Sequence, residues 1–208
     1  MANIIKATVG IKGVRALLQH HFGPDALPLE KQEKSGVAGN DPEEWRKTAL
    51  VTKEGQLYLE PTYVFACIRD AARYTKKGKG SIQSAVAATL QVTDEIVLID
   101  RYFPNFPNGH AFDIGAVAPP PREKDAPVYL DVQSVRNPTT KGRNVRYRVA
   151  ASAGWSARFN ILFDKTIVDR VSMQSVLNDA GVLVGIADGR SVGFGRFTVE
   201  SFEAMDAS

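Results

Sequence analysis

The apolar spacing of this chain predicts an α+β fold, an antiparallel sheet with its helices packed on one face. Apolar residues recur at helical spacing twice, at Val64, Cys67, Ile68 and Ala71 and again at Met173, Val176, Leu177 and Ala180. Ala157, Phe159, Ile161 and Phe163 instead alternate with more polar neighbours, the period of a half-buried strand. Strand-like segments lie on both sides of each helical stripe, and no repeat of solenoid type runs through the chain. At 208 residues, 44% hydrophobic and 24% charged, the chain suits a single domain over 1–208 with insertions at about 23–40 and 104–127.

Residues 3–14 are β-branched and partly alternating, which predicts the first strand, and 16–22 follows as an apolar turn. The stretch 23–40 carries Pro24, Pro28, Gly36 and Gly39 among mixed charges and reads as a surface insertion. Asp41 is placed to cap a short helix, with Pro42 at its first position and Glu43 and Glu44 in its positive first turn. Glu54 and Gly55 form the turn of a hairpin between 49–52 and 56–59. Pro61 opens the first long helix, which the run 76–80 breaks. Ser81 is placed to cap another helix through about Leu90, and 95–100 reads as a strand.

Six of the eleven prolines fall within 104–127, which therefore reads as a long exposed excursion. Residues 128–136 and 144–151 read as two strands joined by a long turn, and 156–163 as a third. Ser172 is placed to cap the second long helix, Gly181 to end it, and the chain returns as a strand over 194–202. This order is that of a decorated ferredoxin-like or RRM-like α+β domain.

Several chemistries find no residues to carry them. One cysteine, Cys67, cannot form an internal disulfide, and its place on an apolar helix face makes it a small buried hydrophobe. With three scattered histidines it makes no metal pattern. There is no Gly-x-x-x-x-Gly-Lys-Ser/Thr loop, no Gly-x-Ser-x-Gly elbow and no dinucleotide fingerprint, so no cofactor is expected. Neither a signal-peptide core nor an apolar run of ~18 residues is present, which predicts a cytoplasmic protein without a membrane partner.

Net charge is only +3, yet its distribution is uneven. No acidic residue lies between Asp131 and Asp164, while Arg136, Lys141, Arg143, Arg146, Arg148 and Arg158 all do. On a hairpin these residues make a basic tip, with Arg146 and Arg148 on one face of the return strand and Tyr147 between them as a base-stacking ring. A second cluster, Arg73, Lys76, Lys77 and Lys79, surrounds Gly78 and Gly80 beside the helix start expected at Ser81, which could hold an anion. The third feature is the glycine-rich stretch 181–196, where Gly189, Gly193 and Gly195 expose backbone between Arg190 and Arg196. Tyr102, Phe103, Phe106 and Phe112 are further candidate stacking rings. RNA or single-stranded DNA is the expected partner, because both present the same phosphates. His20 and His21 are the only adjacent acid–base candidates, suited to metal-independent attack by an RNA 2′-hydroxyl, and no second acid or base is evident beside them.

The segment Gly185-Ile-Ala-Asp-Gly-Arg-Ser-Val-Gly-Phe-Gly-Arg-Phe197 resembles the glycine-rich loop near the C-terminus of RAMP-superfamily proteins, the RRM-like RNA binders of CRISPR effector complexes. Leu17-Leu-Gln-His-His-Phe22, Asp41-Pro-Glu-Glu-Trp45 and Ala71-Ala-Arg73 are also similar to proteins of phage and prophage genomes. The RAMP resemblance implies that Gly189, Arg190, Gly193, Gly195 and Arg196 lie beside an RNA backbone and that the basic hairpin extends along the strand. It also implies an early histidine in endonuclease members, a role His20 or His21 could fill. Three expectations follow: a non-catalytic subunit coating RNA or single-stranded DNA, as a homo-oligomer or within a multi-subunit CRISPR-like or phage nucleoprotein complex; an RNA endonuclease; or a phage structural or assembly protein.

Overall fold

The computed structural model describes residues 3–23, 43–103, 126–136 and 141–207. Most of the two insertions, together with Asp41, Pro42, Phe106 and Phe112, lies outside the described residues. In chain order the elements are β1 (Ile4–Gly13), β2 (Leu17–Gln19), α1 (Glu44–Thr48), β3 (Gln56–Leu59), α2 (Pro61–Ala71), β4 (Lys76–Lys77), β5 (Gly80–Ser81), α3 (Gln83–Thr89), β6 (Gln91–Val92), β7 (Val97–Tyr102), β8 (Val128–Arg136), β9 (Arg143–Ala151), β10 (Ser156–Asp164), α4 (Arg170–Asp179) and β11 (Phe197–Asp206). Two compact units divide the chain: Met1–Leu17, Tyr58–Asp100 and Ala153–Ser208 form one, and Leu18–Leu57 with Arg101–Ser152 form the other.

The larger sheet runs β11-β1-β10-β7-β3, with β6 also pairing β10. Following β1, α2, β7, β10, α4 and β11, the four long strands take the spatial order fourth, first, third, second. This is the βαββαβ arrangement of the ferredoxin-like and RRM-like α+β fold. Its core follows from alternation. Ile5, Ala7, Val9 and Ile11 of β1 face Phe163, Ile161, Phe159 and Ala157 of β10 in register, and all eight are buried. Val64, Cys67, Ile68 and Ala71 of α2 and Met173, Val176 and Leu177 of α4 are buried as their spacing predicts.

Several element ends depart from the sequence reading: α1 begins at Glu44 with Glu43 at its N-cap in place of Asp41, and β11 runs Phe197–Asp206 in place of 194–202. Asp169, not Ser172, caps α4: its side chain accepts the Ser172 N–H at 2.8 Å from an extended backbone, and Ser172 Oγ donates back to it. Ser81 caps nothing, because it pairs with Lys76 in the short β4–β5 ribbon and α3 begins a residue later behind Ile82. Gly181 does not terminate α4. The chain continues through a π-turn over Ala180–Val184, and Gly185, at φ 80°, makes the left-handed exit. Gly181 is required for contact instead, since a Cβ there would stand 2.1 Å from the Phe197 carbonyl oxygen. Finally, the hairpin at Gly55 has a single bridge, Val51 to Leu57, in place of a full first arm.

The second unit holds a sheet ordered β2-β9-β8. The segment read as an apolar turn is thus strand β2, whose three residues are all buried. β8 and β9 pair without a slip from Val128 opposite Ala151 to Arg136 opposite Arg143. In α1, Trp45 is buried and stacks on Phe103 with ring centres 5.6 Å apart. Phe103 is therefore occupied by packing rather than presented for a base.

Candidate nucleic-acid interface

The hairpin arginines divide by depth. Arg148, expected at the surface, faces Asp131 across the strands and donates to it at 3.2 Å, the two side chains being 5% and 0% exposed. Gln133 Nε2 gives the same carboxylate a second bond at 2.9 Å. Arg148 is thus an internal counter-ion, a use that burial forces on any charge lacking water. Arg146, on the same strand face, ion-pairs with Glu44 of α1, which also accepts the Tyr147 N–H at 3.3 Å. Arg136, Lys141 and Arg143 remain exposed at the loop end of the hairpin. Arg136 and Arg143 are direct cross-strand partners, and like charges so placed destabilise a sheet. The tip therefore keeps an unfavourable like-charge pair.

Glu44 also explains the histidines. His20 Nε2 lies 3.0 Å from Glu44 Oε1, and its ring meets Phe22 edge-on at 5.2 Å. A carboxylate only accepts, so Nε2 carries the proton in this contact. Burial pushes the Glu44 carboxyl up, but the His20 bond, the Arg146 charge and the Tyr147 N–H together hold it below its ordinary value. His21 points its backbone N–H to the Thr48 carbonyl at 2.9 Å. His20 is thus tied to α1 through Glu44.

In the first unit the glycine-rich stretch separates into two kinds of position. A Cβ on Gly195 would stand 1.9 Å from the Ile186 carbonyl oxygen at φ 66°, so this glycine lets two backbone segments cross. The crossing is fixed by Ile186 N–H to Gly195 O at 2.9 Å and by Gly195 N–H to Ala16 O at 2.8 Å. Gly189 and Gly193, both left-handed, instead flank a 3₁₀ turn over Arg190–Val192, and nothing lies within 4 Å of a Cβ on Gly193. Arg190 reaches Asp70 of α2 at 3.5 Å, while Arg196 is half-buried with Nη1 enclosed. Burial pushes the Cys67 thiol up to about 12, with the Arg190 and Arg196 charges acting in the opposite direction. At the end of that helix, Lys76 and Lys79 are exposed on the ribbon that carries Lys77, whose turn at Gly78 is open.

The sheet face away from the helices offers no stacking platform on its central strands. Register places Lys6, Thr8, Gly10 and Lys12 of β1 beside Leu162, Asn160, Arg158 and Ser156 of β10 and Met205, Glu203, Ser201 and Thr198 of β11, with no aromatic ring among these positions. They pair with one another: Thr8 Oγ1 donates to Asn160 at 2.8 Å and Arg158 lies 3.4 Å from Glu203. Base stacking in the RRM manner needs aromatic residues there. Among the described residues no group of three His, Cys, Asp or Glu could hold a metal ion, and no described helix is long and apolar enough to cross a membrane.

No protein-family model matches the chain, and no curated protein does. Solved structures do. A chain of the Type III-B Cmr-beta complex bound to cognate target RNA matches 99% of this chain at 15% identity and a TM-score of 0.50. This chain spans 62% of that one's length. A chain of a Type IV-B CRISPR complex matches 95% of this chain and 90% of its own, at 12% identity and a TM-score of 0.44. The likeness to the Cmr-beta subunit is one of fold.

Proposed function

We propose that this protein is a non-catalytic, RAMP-like nucleic-acid-binding subunit that lies along RNA or single-stranded DNA within a multi-subunit CRISPR-like assembly. The carrying observation is the hairpin tip, where Arg136 and Arg143 face each other directly and Lys141 adds a third cation. Such a cluster gains most from a chain of phosphates, which it can hold bidentately while counter-ions are released. The ferredoxin-like fold shared with the Cmr-beta chain supports the same reading at the level of architecture. Glycines 189 and 193, with Arg190, offer a second backbone contact in the first unit.

Gel-shift titration with single-stranded RNA and DNA tests the proposal. Binding should be clear at ~50 mM salt and weaken steeply by ~200 mM, and it should fall at least tenfold in an Arg136→Gln, Lys141→Gln, Arg143→Gln variant. Absence of any shift at ~50 mM salt would overturn it.

A further inference from the structure

Asp70 of α2 gathers three guanidinium groups, two from its own neighbourhood and the third, Arg190, from 120 positions away. Arg69 Nη2 lies 2.9 Å from its Oδ1, Arg73 Nη2 3.7 Å from the same oxygen, and Arg190 Nη1 3.5 Å from Oδ2. Arg73 is further fixed by Nε donating to the Asp70 carbonyl at 2.7 Å. The carboxylate is 17% exposed, whereas the arginines are 42%, 52% and 37% exposed. One largely buried negative charge thus sits among three partly exposed cations, leaving two positive charges that Asp70 does not balance. Beside them Tyr74 is 48% exposed, its ring centre 5.9 Å from the Arg73 guanidinium carbon. Lys76 and Lys79 follow on the exposed ribbon.

We propose that Arg69, Arg73 and Arg190, held together by Asp70, form a site for one phosphate group of a single-stranded nucleic acid, whose neighbouring base stacks on Tyr74. The chemistry follows from the parts. A cluster of forked donors matches phosphate oxygens, and a ring beside it accepts a base face of any sequence only when that base is unpaired. Asp70 is a positioning residue, because it orders the three side chains in advance and so lowers the entropy lost when they close on the anion. The site rests on the nucleic-acid-binding reading and adds a contact distinct from the hairpin tip.

The test compares the wild-type protein with an Arg69→Gln, Arg73→Gln, Arg190→Gln variant, an Arg73→Gln variant in case the triple change impairs folding, and Tyr74→Ala and Tyr74→Phe. Each is titrated with single-stranded RNA at several salt concentrations. The arginine triple should weaken binding about tenfold or more and flatten the salt slope by about one to two, with Arg73→Gln moving the same way. Tyr74→Ala should cost about tenfold without changing that slope, while Tyr74→Phe stays near wild type. Binding of inorganic pyrophosphate, followed by calorimetry, is the second arm. If wild type binds no oligonucleotide, the general function falls, but pyrophosphate binding lost in the arginine variants would still uphold the anion site. Unchanged RNA affinity and slope in the arginine variants, or wild-type affinity in Tyr74→Ala, would overturn the proposal.

Discussion

Gly193 and Gly195 stand two residues apart and answer to different constraints. Gly195→Ala must push a methyl group into the Ile186 carbonyl, so we expect a loss of roughly 3 kcal/mol or more in denaturant unfolding. Gly193→Ala meets open space and bears only the left-handed penalty, about 1–2 kcal/mol. Equal losses at both positions would contradict this division. Glu44 gives a pH signature. Its folded carboxyl titrates below the ordinary 4.5, so its stabilising contribution is complete above that value and is lost as pH falls through the lower one. Wild type should therefore lose melting temperature more steeply than Glu44→Gln between about pH 5 and pH 3, while Glu44→Gln is the less stable at neutral pH, where His20 and Arg146 lose the carboxylate charge and one of its two acceptor oxygens.

At the scale of elements, the cap of α4 and the β8–β9 hairpin give the sharpest expectations. Asp169→Ala should cost about 1 kcal/mol, since its oxygen satisfies the Ser172 N–H. The sequence reading places this cap at Ser172, and the extended backbone at Asp169 moves it three residues earlier. On the hairpin, Arg148→Met leaves Asp131 buried without its cation and should destabilise by about 3–5 kcal/mol. Replacing Arg136, Lys141 and Arg143 should leave stability within about 0.5 kcal/mol while reducing binding. Charge alone does not distinguish these arginines. A signal did exist, because the register that puts Arg136 opposite Arg143 also puts Arg148 opposite Asp131.

For the whole molecule, nucleic-acid affinity should come from edges and loops rather than from the open sheet face. That face is polar and internally paired through Thr8 with Asn160 and Arg158 with Glu203. An Arg158→Ala, Glu203→Ala variant should accordingly retain RNA affinity within about twofold in the same gel-shift titration, because phosphate contacts made elsewhere dominate. A large loss would show that the sheet itself carries the strand.

The sequence by itself determined the apolar stripes of α2 and α4, the buried stripe of β10 and the acid-free basic segment after Asp131, because apolar period and charge order are local properties. Tertiary structure decided which cations are spent internally and which remain outside. Arg148 finds Asp131 17 positions away, Arg146 finds Glu44 at 102, and Arg190 reaches Asp70 at 120. It also decided that Gly181 and Gly195 serve close packing whereas Gly193 lies open. Pairing and burial at such separations depend on which segments the sheet brings together, and no window of the chain contains that information.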